Sequence, residues 1–198
     1  METIKTTPSR LNIQTGAVAL IILVAAFSRI IPHMPNFSPL GGIALFGAAH
    51  FSKKWLAFFI PLVAVWMSDL FINNVIFAQY YSEFTWFYSG FYWQYGSFLL
   101  IALLGTFLFK KINTKRVLGG IAASSALFFL ISNFGVWAGG TMYPPTFSGL
   151  MACYAAGLPF LQGTVAGDLV YTTSLFGGYY LLQRNFSAFR IPSVGYAR

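Results

Sequence analysis

Arg29, Asp69 and Asp168 each sit inside or at the edge of a long apolar stretch, in a chain of 198 residues with only 8% charged side chains. A charge placed in hydrocarbon costs about 3 kcal/mol even on the gentlest scales, so it persists where it faces a protein interior or a wet cavity. A guanidinium and two carboxylates in such surroundings can pair with one another, hold a polar ligand or relay protons. Asp69 and Asn73 are four residues apart, as are Asp168 and Thr172, so each carboxylate shares a helix face with a hydrogen-bonding neighbour. Asn133 is the strongest polar group of its own apolar stretch.

Composition decides what must position these groups. With 57% hydrophobic residues, 19% aromatics and a mean hydropathy of +0.68, the chain has too little polar surface to cover a soluble globule of its size. An all-α integral membrane protein is expected. A bilayer core of roughly 30 Å takes about 20 residues of helix. The apolar runs then predict six transmembrane helices near 13–31, 39–52, 55–78, 93–109, 117–138 and 160–183. The second is short and rich in small residues from Leu40 to Ala49, which suits close packing against neighbours. The apolar segment 149–158 is about half a span long and reads as an outer re-entrant or surface helix leading through Pro159 into the last span. The organisation expected is a cytoplasmic tail over 1–12, one transmembrane domain over 13–184 and a second cytoplasmic tail over 185–198. The first apolar stretch continues through Arg29 without a convincing cleavage site, so an uncleaved first helix is expected.

Orientation follows from the basic residues, which accumulate in short cytoplasmic loops. Lys5 and Arg10, then Lys53 and Lys54, then Lys110, Lys111, Lys115 and Arg116, then Arg184, Arg190 and Arg198 alternate with the six spans in one consistent way. Both termini are expected inside a bacterial cytoplasmic membrane, with the connections near 32–38, 79–92 and 139–159 outside. The net charge of +8 is explained by this topology and by anionic lipid, which removes nucleic acid as a partner.

Depth separates a relay from a cavity. At 1.5 Å per residue, Asp69 lies about 21 Å from the inner end of its span, Asp168 about 12 Å below the outer start of its own, and Asn133 about 24 Å up from Val117. Arg29 is near the outer end of the first span. All four therefore fall in the outer half, and the inner half has no comparable group. A relay needs stepping stones across the full thickness, whereas a one-sided cluster suits a binding cavity. Interhelical polar bonding, with Arg29 neutralising one or both aspartates and no ligand, is the competing reading.

The outer connections add aromatic surface. Residues 79–95 hold ten aromatics, which suit a headgroup belt and, in part, a stacking lid that includes Trp93. Segment 139–148 has turn chemistry, and 32–39 supplies Asn36 between prolines. Gly135 to Gly139 and Gly163 to Gly167 are Gly-x-x-x-Gly faces and Ala44 to Ala48 is the alanine analogue, patterns that let helices approach closely.

The run from Pro39 to Gly47, then Pro61 to Asp69, then Asn133 to Trp137, then Tyr154 to Phe160 opening the last helix resembles the substrate-binding S components of energy-coupling-factor transporters. More narrowly, it resembles an uncharacterised bacterial group of S-component-like membrane proteins, and the likeness extends from Arg29 to about Arg184. The resemblance implies an S-component-like bundle that binds a vitamin-like micronutrient in an outward-facing cavity beneath the loops. It also implies a membrane coupling subunit with two cytoplasmic ATPases as partners, docked on the face of Ala44 and Ala48. The substrate-binding residues expected are Arg29, Asn36, Asp69, Asn73, Trp93, Asn133, Trp137, Tyr143, Asp168 and Thr172.

No phosphate-binding glycine loop, Ser/His/Asp set or Cys/His set is present, so no enzyme is expected. His33, His50 and the single Cys153 have no metal-ligand spacing, so neither a metal nor a cofactor is expected. Two other function classes compete with micronutrient uptake. A non-transporting accessory subunit would pair its buried charges in a closed bundle, and a solitary ion-coupled carrier would need its aspartates for coupling rather than for ligand binding.

Overall fold

Long apolar runs, whose backbone groups must bond within their own segment where water is absent, make every described element helical. The computed structural model describes residues 8–189, with the side chains described from residue 13. Lys5, Arg190 and Arg198, most of the expected N-terminal tail and the end of the C-terminal one lie outside the described residues. In chain order the helices are α1 (Pro8–Phe27), α2 (Leu40–His50), α3 (Lys54–Phe71), α4 (Phe91–Leu108), α5 (Thr114–Gly139) and α6 (Phe147–Asn185). Short 3-10 turns occupy Ser28–Ile30, Ala78–Tyr80 and Ser187–Phe189. Among the described residues there is no strand.

Among the described residues, five helices are long and apolar enough to cross a membrane. The expected second span is the exception. Its 11 residues reach about 16 Å, roughly half of a bilayer core. Every residue from Leu40 to Gly47 is buried, so α2 is the central post of the bundle. Its small residues make this possible. A methyl on Gly41 would overlap Asp168 Oδ1 and Ser124 Oγ, and one on Gly42 would come to 3.1 Å from the backbone nitrogen of Thr172. At the other end of α2, Ala48 packs on Gly105 of α4. Of the pair expected to dock a coupling subunit, Ala44 is wholly buried inside the bundle, and Ala48 is half-buried against Gly105 of the chain's own α4.

The segment expected as a separate helix at 149–158 is the first part of α6, which runs unbroken through Pro159 for 39 residues, about 58 Å. Proline removes one donor and does not by itself end a helix whose two halves are held by neighbours. Here α5 holds the first half: Tyr154 Oη donates to Leu130 O at 2.9 Å, and Cys153 Sγ to Asn133 O at 3.3 Å. The second half carries the glycine face at 163–167. It receives an extended loop rather than a helix, because side chains there would strike Pro35 O and the Ser38 backbone.

The connections 31–39, 81–90 and 140–146 gather with Arg29 at one end of the bundle, hereafter the Arg29 end, and 51–53 and 109–113 lie at the other. Replacing Gly41 by alanine is expected to force α2 away from α6, at a cost of about 2 kcal/mol for overpacking. Thermal unfolding of purified Gly41→Ala checks this, with Gly16→Ala, where nothing lies within 4 Å of the added methyl, as the control that leaves the midpoint unchanged.

Candidate functional site

The helix that carries Asp69 changes its winding just beyond it. After Phe71, α3 passes into a π-helical turn over Ile72–Ile76, closed by Phe77 N donating to Ile72 O at 2.8 Å. Such turns insert an extra residue into the helical period and redirect the side chains that follow. Asn73 turns inward and is buried beside the Asp69 face. Asn74 turns to the 81–90 connection. Its Nδ2 donates to Thr85 O at 2.9 Å and its Oδ1 accepts from Thr85 N at 2.7 Å, so one amide fixes the loop's backbone from both sides. Trp86 of that loop stacks on Trp66 of α3 with ring centroids 6.3 Å apart.

Asp69 is 5% exposed and both of its oxygens are engaged. Arg29 Nη1, from the 3-10 turn ending α1, donates to Asp69 Oδ1 at 2.6 Å and to Ser68 Oγ at 2.9 Å. Tyr95 Oη, one turn into α4, donates to Asp69 Oδ2 at 2.7 Å. Three helix segments thus meet on one carboxylate. Tyr88, in the 81–90 connection, is close enough for the same charges to act on it. Burial pushes its phenol well above the ordinary range, the Asp69 charge adds to this and Arg29 opposes it, so Tyr88 stays a protonated donor.

Asp168 forms a second centre. It is 2% exposed and accepts from Ser125 Oγ at 2.7 Å, while Ser124 Oγ and Asp168 Oδ1 converge on the space that a Gly41 side chain would fill. Among the described residues the one ion pair is Arg29–Asp69, so Arg29 neutralises one aspartate rather than both. A void of about 20 Å3, the size of one water, lies between Asp168, Ser124, Ser38 and Thr164. Thr172 is wholly buried against Gly42.

The other expected site residues fall into different roles. Asn133 Nδ2 donates to Phe129 O of its own helix, and the amide packs against Gly157. Trp93 lies on the backbone of Gly135, and Trp137 Nε1 donates to Pro144 O at 3.0 Å, tying α5 to the 140–146 connection. Tyr143 is half-buried in that connection. Asn36 is exposed in the 31–39 connection, with a left-handed φ of 61° that Asn adopts more readily than most residues. Sequence reasoning assigned Tyr95 and Tyr88 to the general aromatic belt and did not single out Ser68 and Ser125. The Ser124–Ser125 pair inside an apolar helix was a readable signal; nothing in the sequence separates Tyr95 from its aromatic neighbours.

Buried polar atoms ordinarily find partners, so exceptions locate missing ones. Among the described residues, Trp66 Nε1, Asn73 Nδ2, Tyr88 Oη, Trp93 Nε1, Ser124 Oγ and Thr172 Oγ1 have none. The first four belong to α3, α4 and the loop joining them, on the Asp69 side, and the last two flank Asp168. Two hollows lie near the Asp69 cluster, and Tyr88 and Trp93 line the first of them. One, of about 330 Å3, is bounded by Tyr88, Tyr92, Trp93, Gln94, Gly135 and Gly139. The other, of about 400 Å3, lies between Arg29 and the π-turn.

A model of a family of unknown function (DUF6580) matches residues 9–190, nearly the whole chain. No curated protein and no solved structure matches it.

Removing Arg29 leaves a buried carboxylate without its cation, so Arg29→Ala is expected to destabilise by about 3 kcal/mol and the double variant Arg29→Met/Asp69→Leu by much less. Tyr95→Phe, which removes one interhelical hydrogen bond, is expected to cost about 1 kcal/mol. Thermal unfolding of the four purified proteins measures both differences.

Proposed function

We propose that this chain, which belongs to the family of unknown function DUF6580, is the solute-binding subunit of a micronutrient uptake system, similar in its working to the S components of energy-coupling-factor transporters. It spans the bacterial cytoplasmic membrane several times with both termini inside, and the Arg29 end faces out. The alternation of cationic connections with apolar helices supports that orientation. Uphill uptake draws its energy from a separate coupling subunit and ATPases. Ala44 is wholly buried within the bundle, so docking would draw on surface beyond it.

The observation that carries this reading is the gathering of unpaired donors at one end of the bundle. Asn73 Nδ2, Tyr88 Oη and Trp93 Nε1 are buried without partners around a fixed Arg29–Asp69–Tyr95 cluster; Tyr88 and Trp93 line one hollow of ligand size, and Arg29 lines another. Donors of this kind are met by ordered water or by a solute, since each unmade hydrogen bond costs about 1–3 kcal/mol. Acceptor atoms of a bound solute, entering beneath the 81–90 loop that Asn74 pins, would satisfy them.

Two specific observations favour the competing readings. The Arg29–Asp69 pair is complete without a ligand, as an accessory subunit would have it. Asp168 has no cationic partner among the described residues, as an ion-coupled carrier would need. Mass spectrometry of small molecules co-purified with the intact protein tests the set. A compound enriched in the wild type and depleted in Asn73→Ala/Tyr88→Phe is expected. Identical small-molecule spectra for the wild type, that variant and an unrelated membrane protein would favour the accessory subunit. Ligand retained in Asp168→Asn together with loss of ion-dependent uptake would favour the carrier.

A further inference from the structure

The hollow beside Arg29 has a lining of two kinds. Ile30 and Ile31 from the end of α1 and Ile72, Ile76 and Phe77 from the π-turn form apolar walls, and Arg29 is the cation among them, with His33 as the second nitrogen base. The guanidinium is held but not exhausted. Both of its protein hydrogen bonds leave from Nη1, to Asp69 and Ser68, so among the described residues no hydrogen bond engages the Nε–Nη2 edge. That edge is the geometry that clasps a carboxylate or phosphate through two parallel N–H bonds. The Arg29 side chain lines the hollow and keeps 15% of its surface exposed. Tyr95 meanwhile donates to Asp69 and disperses part of the negative charge that would otherwise repel an acid.

The walls restrict what the acid can be attached to. A polyhydroxylated or zwitterionic body would leave hydroxyls or an ammonium unpaired against isoleucine and phenylalanine, at a desolvation cost of about 1–3 kcal/mol for each group. An apolar body meets no such penalty. Apolar surface also continues outward from the hollow: Ile31 is 65% exposed, Val75 60% and Phe77 47%. A chain longer than the hollow can therefore run out along the same face.

We propose that this hollow binds an amphiphile with a single acidic head, its carboxylate or phosphate clasped by the unengaged edge of Arg29 and its apolar body laid on Ile72, Ile76 and Phe77. The inference narrows the substrate class of the uptake function and rests on that reading for its role, though not for its chemistry. A free acid and an anionic membrane lipid share this head-and-tail chemistry.

Dodecanoate and its methyl ester, titrated against the full-length protein in phosphatidylcholine nanodiscs, test the site. Saturable binding of the acid and at least tenfold weaker binding of the ester are expected. Ile76→Trp fills the hollow without touching the Arg29–Asp69 pair and is expected to weaken the acid at least tenfold. Arg29→Lys keeps a cation for Asp69 but lacks the planar edge, and is expected to do the same. Repeating the titration with phosphatidylglycerol in the nanodisc separates the two sources: competition assigns the site to membrane lipid, and undiminished binding assigns it to a free acid. Equal affinity for acid and ester, or unchanged affinity in Ile76→Trp, overturns the proposal. If dodecanoate fails to bind while another compound co-purifies, the amphiphile inference falls alone; if nothing co-purifies and dodecanoate still binds at an Ile76-sensitive site, the uptake reading falls and a lipid site remains.

Discussion

The carboxylate of Asp69 is the point at which α1, α3 and α4 are tied together. Arg29 reaches it from the end of α1 and Tyr95 from the first turns of α4, and each engages a different oxygen. Apolar helices in an apolar solvent gain little from hiding surface from one another, so packing and a few polar bonds decide which arrangement is kept. A charge pair that costs several kcal/mol to separate in such a medium is a strong selector. It also fixes where the surrounding groups stand. Ser68, Asn73 and Tyr88 are arranged around it, and the hollow between α1 and α3 has Arg29 as its polar wall.

A second constraint is the depth to which α2 is buried. Gly41, Gly42, Ala44 and Gly47 let neighbouring elements approach the 11-residue α2 closely, while Ile43, Leu45 and Phe46 fill the core around it. The consequence appears at Asp168, whose carboxylate occupies the volume that any side chain at Gly41 would need. The two acids are thus handled by different means. Asp69 is neutralised by a cation, whereas Asp168 accepts from a serine hydroxyl and fills the space left by the missing side chain of Gly41.

The two hollows at the Arg29 end differ in chemistry although they flank one cluster. Tyr88, Tyr92 and Trp93 give one an aromatic, hydrogen-bonding character, and isoleucines give the other a greasy wall beneath a guanidinium. The π-turn underlies the difference. By adding a residue to the helical period beyond Asp69, it sends Asn73 toward the interior and Asn74 to the loop, and leaves Ile72 and Ile76 facing Arg29.

Membrane character, the helical class and the special standing of Arg29 and Asp69 were legible in the amino-acid sequence, because each follows from the local cost of putting polar atoms in hydrocarbon. The short second helix was legible too, as a run of small residues suited to close packing. What local cost does not encode is partner choice. Arg29 lies 40 residues from Asp69 in the chain, and Ser125 lies 43 from Asp168. Only the packing of six helices decided that Arg29 takes one acid and leaves the other to a serine. Packing also decided that Ala44 is buried within the bundle and Ala48 meets Gly105 of α4, and that Pro159 is spanned by one long helix because α5 holds its first half. Local composition determines what each segment can tolerate; the tertiary structure determines which of the tolerated neighbours it meets, since a side chain's partner depends on distances that the chain's order does not contain.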